Sequence, residues 1–343
     1  MTRGADFHVW FLDTVHPVLQ SRLEAAGMTC HDATTLTREA LLAAAQTTPV
    51  HALVIRSRIR LTADLLRALP DLQWIARSGS GLENIDLEVA AEMGVAVHSS
   101  PEGNRDAVAE HATGLLLNLL NHIQSGDATI RERQWLREAH RGRELKNMTV
   151  GIVGYGHMGH AFAQRLGGFG CRVLAYDKYK EGWGDSPSVD RPLPHVAPSS
   201  LEQLHAEADV VSLHLPWTEE TKGLVAAAWL AKWAKPIVLL NTARGPIVRT
   251  TDLLDALDSG KVWRAGLDVL EFEGRSLESL SEMADSEARG AFERLLADRR
   301  VLLTPHVAGW TEESLVKLSS VLADKILGHE KAPADGQGFS QSR

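Results

Sequence analysis

The sequence predicts an α/β protein built from two domains, each with its own parallel β-sheet. Short apolar runs alternate with helix-like stretches in two separate series along the chain. Many of these runs are continuous in valine, isoleucine and leucine, which is typical of strands covered on both faces. The length of 343 residues also exceeds what one hydrophobic core usually supports. Two cores are therefore expected.

The first series lies within the first hundred residues. Strand-like runs are FHVWFL, HALVIRS, LQWIARSG and GVAVHSS, and helix-like stretches between them include HPVLQSRLEAAG and TADLLRALP. The following segment, residues 106–133, contains no proline and has apolar residues at helical spacing, which predicts one long helix. Its broad apolar face fits either a helix that links domains at a subunit interface or a plain core helix.

The second series contains the runs MTVGIV, CRVLAYD, DVVSLHLP, KPIVLLN, WRAGLDVL and RVLLTP, with helices near 158–168 and in RTTDLLDALDSG. This pattern predicts a doubly wound parallel sheet within residues 106–306. Residues 307–330 are expected to return to the smaller first domain, residues 1–105. The polar segment 273–290 is predicted to be a loop or short helix, and the tail 331–343 to be disordered.

Composition narrows the functional classes. The formal net charge is −8 with no block of basic residues, which argues against nucleic-acid or membrane-surface binding and favours a small soluble partner. Cys30 and Cys171 lie far apart and lack metal-ligand spacing, so neither a disulfide framework nor a zinc site is expected. The sequence shows neither the continuous apolar core of a signal peptide nor an apolar run long enough to span a membrane. This pattern predicts a cytoplasmic protein.

The stretch GYGHMG places Gly154, Gly156 and Gly159 between a predicted strand and a predicted helix. In that context the first glycine makes a tight turn, the second admits a pyrophosphate, and the third allows close helix–strand packing. The helix begins near His157 and Met158, whose backbone N–H groups would face the phosphates. A dinucleotide-binding turn is therefore predicted.

Asp177 ends the next predicted strand, 18 residues after Gly159. A carboxylate there can accept hydrogen bonds from the adenosine ribose and would repel a 2′-phosphate, which favours NAD over NADP. Lys178 and Lys180 argue in the opposite direction. The alternative is a solvated aspartate at a strand end.

Three later segments follow predicted strands, where ligands bind in open α/β sheets. They are NTARGPIV with Arg244, GLDVLEFEG with Asp268 and Glu273, and LLTPHVAGW with His306. An arginine, a carboxylate and a histidine beside a nicotinamide indicate a hydroxyacid dehydrogenase site.

These motifs occur in the order and near the spacing of the D-isomer-specific 2-hydroxyacid dehydrogenase family, which the chain resembles across about residues 50–325. The resemblance implies an NAD-dependent oxidoreductase and a homodimer. It also implies two Rossmann-like domains: an NAD-binding domain and a smaller, flavodoxin-like domain that binds substrate. The family's catalytic residues fall on Arg244, Glu273 and His306, and further cofactor contacts on Thr242, Ala243 and Asp268.

In the implied mechanism His306 is the general acid/base, Glu273 holds its other ring nitrogen, and Arg244 binds the substrate carboxylate. A structural hydrogen bond is the alternative role for Asp268. The family's glutamate is usually followed by proline, whereas Gly274 follows here. Glu271 and Glu278 are therefore rivals, although Glu273 keeps the family distance from Asp268.

Substrate-binding residues are suggested by RSGSGLENID, which resembles the family's substrate-carboxylate loop and could form an anion-binding turn. Arginines also match the phosphoglycerate dehydrogenase branch, in which they contact the substrate phosphate, one of them from a neighbouring subunit. The preferred reaction is oxidation of D-3-phosphoglycerate for serine biosynthesis, without a serine-sensing regulatory domain; hydroxypyruvate, glyoxylate or another 2-keto acid remains an alternative. The candidate residues are Arg56, Arg77, Ser78, Gly79, Ser80, Gly81 and, from the neighbouring subunit, Arg137.

Other functional classes are less favoured. A corepressor-like protein that senses NADH could keep the same residues without rapid turnover. Formate dehydrogenases partner the histidine with glutamine, which a carboxylate at position 273 disfavours. Among the 15 histidines, His157 and His160 form an HxxH arrangement, but a metal there would compete with the phosphates, so none is expected.

Overall fold

The computed structural model describes residues 6–179, 193–274 and 286–329. The chain divides into two compact units: Met1–Gly103 with Leu315–Arg343, and Asn104–Ser314. Lys180, Glu278 and the predicted disordered tail lie outside the described residues. No helix among the described residues is long and apolar enough to span a membrane.

The first unit contains a five-stranded parallel sheet. Its strand order, β2-β1-β3-β4-β5, is the flavodoxin-like order, as predicted. The strands are β1 (His8–Phe11), β2 (Thr29–Asp32), β3 (Ala52–Ile55), β4 (Trp74–Arg77) and β5 (Ala96–Ser99). The helices are α1 (Val18–Ala25), α2 (Arg38–Ala44), α3 (Ala63–Arg67) and α4 (Leu87–Glu92), and α12 (Glu312–His329) returns to this unit from Leu315 onward.

Both faces of this sheet are buried. Trp10, Leu53 and Ile55 pack on one face with residues of α2, α3 and α4. Val9 and Ala52 pack on the other face, which α1 and the apolar side of α12 cover. Burial on both faces explains the continuous apolar runs. Strand β2 lies at the sheet edge with the half-exposed sequence TCHD, so it escaped prediction.

The second unit contains a seven-stranded parallel sheet in the order β12-β11-β10-β9-β6-β7-β8. This doubly wound order confirms the predicted Rossmann-like fold, and its direction reverses between β6 and β9. The strands are β6 (Thr149–Val153), β7 (Arg172–Tyr176), β8 (Val196–Pro198), β9 (Val210–Leu213), β10 (Ile237–Asn241), β11 (Val262–Leu267) and β12 (Val301–Leu303). The helices are α5 (Pro101–Asn121), α6 (Ile123–Arg131), α7 (His157–Leu166), α8 (Leu201–Glu207), α9 (Ala227–Leu230), α10 (Thr250–Asp258) and α11 (Ser286–Ala297).

The single long helix predicted for residues 106–133 is wrong. His122 has a left-handed backbone, φ 56°, and this residue separates α5 from α6. Asn118 supports the break by accepting a hydrogen bond from the N–H of Gln124 at 2.9 Å. Helix α5 packs into the core of the second unit, whereas α6 has no buried residue. Further along the chain, the prediction for 273–290 is a loop or short helix; residues 286–290 are helical, in α11, and 275–285 lie outside the described residues.

Candidate active site

The carboxyl edge of the second sheet brings the three catalytic candidates into neighbouring loops. In the parallel register, Asn241 of β10 pairs with Leu267 of β11, which pairs with Leu303 of β12. Arg244 and His306 each lie three residues beyond these positions, and Asp268 follows Leu267 directly. Parallel pairing therefore aligns segments that are far apart in sequence.

His306 and Glu273 form a direct pair. Nδ1 of His306 lies 2.7 Å from Oε2 of Glu273, and the two side chains are 23% and 16% exposed. The N–H of Leu270 donates to the other oxygen, Oε1, at 2.6 Å and so fixes the carboxylate. Of the rivals, Glu271 instead accepts the N–H of Thr250 at the start of α10, and Glu278 lies outside the described residues. Because a carboxylate only accepts, Nδ1 carries the proton and Nε2 is left to exchange one.

The loop that carries His306 is held by Asp268. His306 has φ 52°, an uncommon backbone conformation for a residue other than glycine, and its N–H donates to the carbonyl of Asp268 at 2.7 Å. The Asp268 carboxylate is 1% exposed and accepts from Val307 N at 2.9 Å, Ala308 N at 2.8 Å and Thr304 Oγ1 at 2.6 Å. Its observed contacts are thus structural, and its predicted contact with the cofactor remains a prediction.

His111 extends this network and was missed by the sequence reasoning. Its Nε2 lies 3.0 Å from Thr304 Oγ1 and 3.4 Å from an oxygen of Asp268. A histidine in the middle of a helix carries no sequence signal for this role, because tertiary packing alone decides which face of α5 meets the Asp268 loop.

The loop that carries Arg244 approaches the loop after β11 closely. A β-carbon at Gly245 would lie 1.8 Å from the carbonyl oxygen of Leu270, so only glycine fits there. Asn241 holds the loop: its amide accepts from Ala243 N at 3.0 Å and donates to the Arg244 carbonyl at 3.0 Å. Arg244 is half-buried, and its Nη1 donates to the carbonyl of Ala243 at 2.7 Å. The predicted cofactor residue Ala243 therefore uses both backbone groups within this loop.

The glycine turn fits a dinucleotide. Gly154 has φ +91°, and a β-carbon there would lie 2.5 Å from the carbonyl oxygen of His214. A β-carbon at Gly159 would lie 2.1 Å from the carbonyl oxygen of Gly154, so the helix and the turn touch at this point. Gly156 precedes α7, whose first residues are His157 and Met158, and the first N–H groups of a helix have no acceptor within it. The turn therefore presents donors to a phosphate at the switch point of the sheet.

Gly156 offers a direct test of this fit. Apart from Gly156 itself and its chain neighbours, no described atom lies within 4 Å of a β-carbon built at Gly156, in contrast to Gly159. We expect Gly156→Ala to unfold at the wild-type temperature but to bind NADH at least about tenfold more weakly, because its methyl group occupies space that the pyrophosphate needs. NADH fluorescence titration and thermal unfolding measure the two effects. Gly168→Ala, equally open in space, is the control, and unchanged NADH affinity in Gly156→Ala would contradict the assignment.

Asp177 and Thr242 are two further candidate cofactor residues. The Asp177 carboxylate accepts from Tyr155 N at 2.8 Å and Tyr179 N at 3.1 Å, and each oxygen retains a lone pair. Lys178, which argued for NADP, forms an ion pair with Glu220. The hydroxyl of Thr242 is buried and has no hydrogen-bond partner among the described residues, and its predicted contact with the cofactor remains a prediction.

His214, at the end of β9 beside the switch point, was not singled out from the sequence. Its ring lies 2.9 Å from Ser212 Oγ and packs against Phe162. Burial lowers the pKa of His214 to about 3. The ring is therefore neutral at physiological pH and contributes no charge beside the phosphate-binding turn.

The predicted substrate residues of the first unit lie at the carboxyl edge of its own sheet. Arg56 follows β3, and Arg77 ends β4, where it pairs in register with Ile55. Gly79 has φ +145°, and the Arg77 guanidinium lies directly over its α-carbon, where a β-carbon would clash at 1.2 Å. Ser78 and Gly79 are buried in this turn, which continues through Ser80 and Gly81. Arg137, in the second unit, is exposed.

No cluster of three or more histidine, cysteine or acidic side chains that could hold a metal ion occurs in the part of the chain that the structure describes. Both cysteines are free thiols.

Comparison with known proteins identifies the family. Residues 113–308 match the model of the NAD-binding domain of D-isomer-specific 2-hydroxyacid dehydrogenases. A hydroxypyruvate reductase of Thermotoga maritima is 36% identical over 81% of this chain and 84% of its own length. A D-3-phosphoglycerate dehydrogenase of Mycobacterium tuberculosis is 37% identical over 84% of this chain, which spans about half of that longer protein.

A solved structure shows the same fold with both ligands. The D-lactate dehydrogenase of Aquifex aeolicus, in complex with NAD and lactic acid, superposes with a TM-score of 0.74 at 25% identity and covers 94% of this chain and 95% of its own. The family match, the shared fold and the glycine turn agree on the cofactor, NAD. The chain belongs to the D-isomer-specific 2-hydroxyacid dehydrogenase family of NAD-dependent oxidoreductases.

Proposed function

We propose that the protein oxidises D-3-phosphoglycerate to 3-phosphohydroxypyruvate with NAD and so supplies serine biosynthesis. The observation that carries the chemistry is the pair formed by His306 and Glu273, 2.7 Å apart. The phosphorylated substrate is supported by the position of Arg56 and Arg77 at the ends of adjacent strands.

The proton transfer is assigned to His306. In the oxidation Nε2 of His306 accepts the hydroxyl proton of the substrate, and the ring then carries a positive charge. Glu273 stabilises that charge through its hydrogen bond to Nδ1 and keeps the ring oriented. Both side chains are mostly buried, so this charge pair is weakly screened by water. NAD, when bound, supplies the hydride acceptor.

Arg244 is assigned to the substrate carboxylate and the developing carbonyl. Its guanidinium carries five donors in a planar fork, which suits a carboxylate. Gly245 and Asn241 hold the backbone around Arg244, so its position is fixed by the fold and not by the substrate. NAD is preferred over NADP because Asp177 follows the second strand of the cofactor turn and Lys178 is neutralised by Glu220.

Reduction of hydroxypyruvate or glyoxylate is the second candidate, and a specific observation favours it. Nη1 of Arg77 donates to the carbonyl of Ser78 at 3.1 Å, so part of its guanidinium braces its own loop. An arginine used in this way has fewer donors for a substrate phosphate. The similarity to a hydroxypyruvate reductase supports the same alternative.

A substrate panel distinguishes the two candidates. NADH absorbance would be followed with D-3-phosphoglycerate and NAD, and in reverse with 3-phosphohydroxypyruvate, hydroxypyruvate and glyoxylate. We expect kcat/KM to be highest for the phosphorylated pair and to fall at least tenfold in Arg77→Gln, since charge-assisted hydrogen bonds to an anion are lost. Arg67→Gln, which removes an exposed arginine paired with Glu92, is the control and should change neither value.

Other outcomes of the panel are also decisive. Preference for unphosphorylated keto acids, unaffected by Arg77→Gln, would replace phosphoglycerate oxidation by general 2-keto acid reduction. Tight NADH binding without turnover of any substrate would favour the corepressor-like class.

We also propose that the protein is a homodimer in which a second copy covers the apolar surface of α6 and residues 132–136. Ile123, Ile130, Trp135 and Leu136 are all exposed there, and Trp135 is 78% exposed. Four large apolar side chains exposed within residues 123–136 favour a surface that binds another protein. Sedimentation velocity should give the mass of a dimer; a monomer at micromolar concentration would contradict this proposal.

A further inference from the structure

The guanidinium groups of two arginines lie against the ring of one tryptophan near the amino end of β11. The Cζ atoms of Arg143 and Arg264 lie 4.3 Å and 5.2 Å from the centre of the Trp263 indole. The local backbone explains this arrangement. Ile237 pairs with Val262 and Val238 with Arg264, so Trp263 is the extra residue of a β-bulge. A bulge redirects side chains, which allows the neighbours Trp263 and Arg264 to interact instead of pointing to opposite faces.

No carboxylate of the described residues balances the charge of these arginines. Within the described part of the chain, no carboxylate oxygen lies within 4.0 Å of either guanidinium. The negative charge of Asp298 attracts Arg264 from a distance, but the Asp298 carboxylate forms its ion pair with Arg300, at 2.6 Å. Arg264 is half-buried, and its Nε is a buried donor without an acceptor. Leaving such a donor without an acceptor is costly, so an acceptor other than the described residues is indicated.

His122 orients Arg264. Nη2 of Arg264 lies 2.9 Å from Nδ1 of His122, and since a guanidinium can only donate, Nδ1 is the acceptor. His122 is only 8% exposed and has the left-handed backbone that separates α5 from α6. Burial, followed by the nearby charges of Arg264 and His140, lowers the pKa of His122, so the ring stays neutral and keeps accepting this hydrogen bond.

This cluster is separate from the catalytic residues. Trp263 and Arg264 lie near the start of β11, whereas Asp268, which holds the His306 loop, follows the opposite end of the same strand. Arg143 is exposed to solvent, so a ligand can reach the cluster from that side. Neither the cofactor nor the substrate of the proposed function uses these side chains.

We propose that Arg143 and Arg264, held by Trp263 and His122, form a binding site for a phosphate-type oxyanion. Two guanidinium groups around one indole offer paired donors to an anion with several oxygens, a geometry that arginine supplies and a single lysine does not. A bound dianion would also remove the repulsion between the two arginines and meet the free donor of Arg264. A chloride ion, with one centre and no extended shape, fits this arrangement poorly.

The test uses the full-length protein with saturating NADH, so that the dinucleotide turn is already filled. Inorganic phosphate would be titrated at constant ionic strength in a phosphate-free buffer, with binding followed by calorimetry. We expect one class of phosphate sites to weaken at least tenfold in both Arg264→Met and Arg143→Gln. Arg172→Gln removes another exposed arginine of the same unit, paired with Glu207, and should leave this class unchanged.

Arg143→Gln tests the site even if Arg264→Met misfolds, because the exposed Arg143 side chain can be replaced without disturbing the core. Arg77→Gln, in the proposed substrate site, should leave this class of phosphate sites unchanged; its weakening in Arg77→Gln would assign the class to the substrate site. Equal phosphate binding in wild type, Arg264→Met and Arg143→Gln would overturn the proposal. Loss of the dimer in Arg264→Met without any effect on phosphate would also overturn it, because a carboxylate of the second copy would then be the partner of the arginines.

Discussion

Replacing His306 with asparagine is expected to lower kcat by about 10²- to 10⁴-fold, the range for loss of a general acid/base. Asparagine has no basic ring nitrogen to take up the proton, although it retains hydrogen-bonding capacity in the same loop. The affinity for NADH should stay within about twofold, because the cofactor turn around Gly154 and Gly159 is built from other segments of the sheet. Steady-state turnover and NADH fluorescence titration measure the two quantities independently.

Glu273→Gln separates the charge of the pair from its geometry. The glutamine amide oxygen can still accept from Nδ1 of His306, so the ring keeps its orientation but loses the carboxylate that stabilises its charged form. We expect a smaller loss of kcat than in His306→Asn. A His306→Asn enzyme with wild-type kcat would show that the proton is transferred by another group.

Much of the site followed from local sequence. A β-carbon at position 154 or 159 would clash with the backbone, and one at position 156 would block a ligand. The spacing of these glycines therefore indicates the backbone geometry of the turn. The motifs of Arg244 and His306 follow strands, and parallel strands end at a common edge. Knowing that the sheet is parallel is therefore enough to bring these distant residues together.

The remaining features depend on tertiary packing. Apolar periodicity continues across His122, so nothing in the spacing marks the helix break that Asn118 and Arg264 support. The sequence left Glu271 and Glu273 as rivals because both follow β11 at short distance; the structure separates them because Glu271 is engaged at the start of α10. His111 has no local signal because its partners are on other elements.

Asp268→Asn is expected to lose both stability and activity. The Asp268 carboxylate accepts hydrogen bonds from Thr304 Oγ1, Val307 N and Ala308 N, and His111 Nε2 lies 3.4 Å from one of its oxygens. Asparagine keeps one acceptor oxygen and places an NH₂ group against at least one of these buried donors. The cost is about 1–3 kcal/mol in the free energy of unfolding, the usual penalty for an unsatisfied buried polar group.

The same change should lower kcat at least tenfold, because Val307 and Ala308 directly follow His306 and a small displacement of a catalytic group slows the reaction strongly. Urea unfolding and steady-state kinetics measure the two effects. Asp252→Asn is the matched control. The Asp252 carboxylate, on α10, is 19% exposed and accepts the N–H of Ala227 at 2.8 Å, away from the His306 loop. Asp252→Asn should lower the free energy of unfolding without lowering kcat. If Asp268→Asn loses stability to the same extent but keeps wild-type kcat, Asp268 holds the fold and not the position of His306.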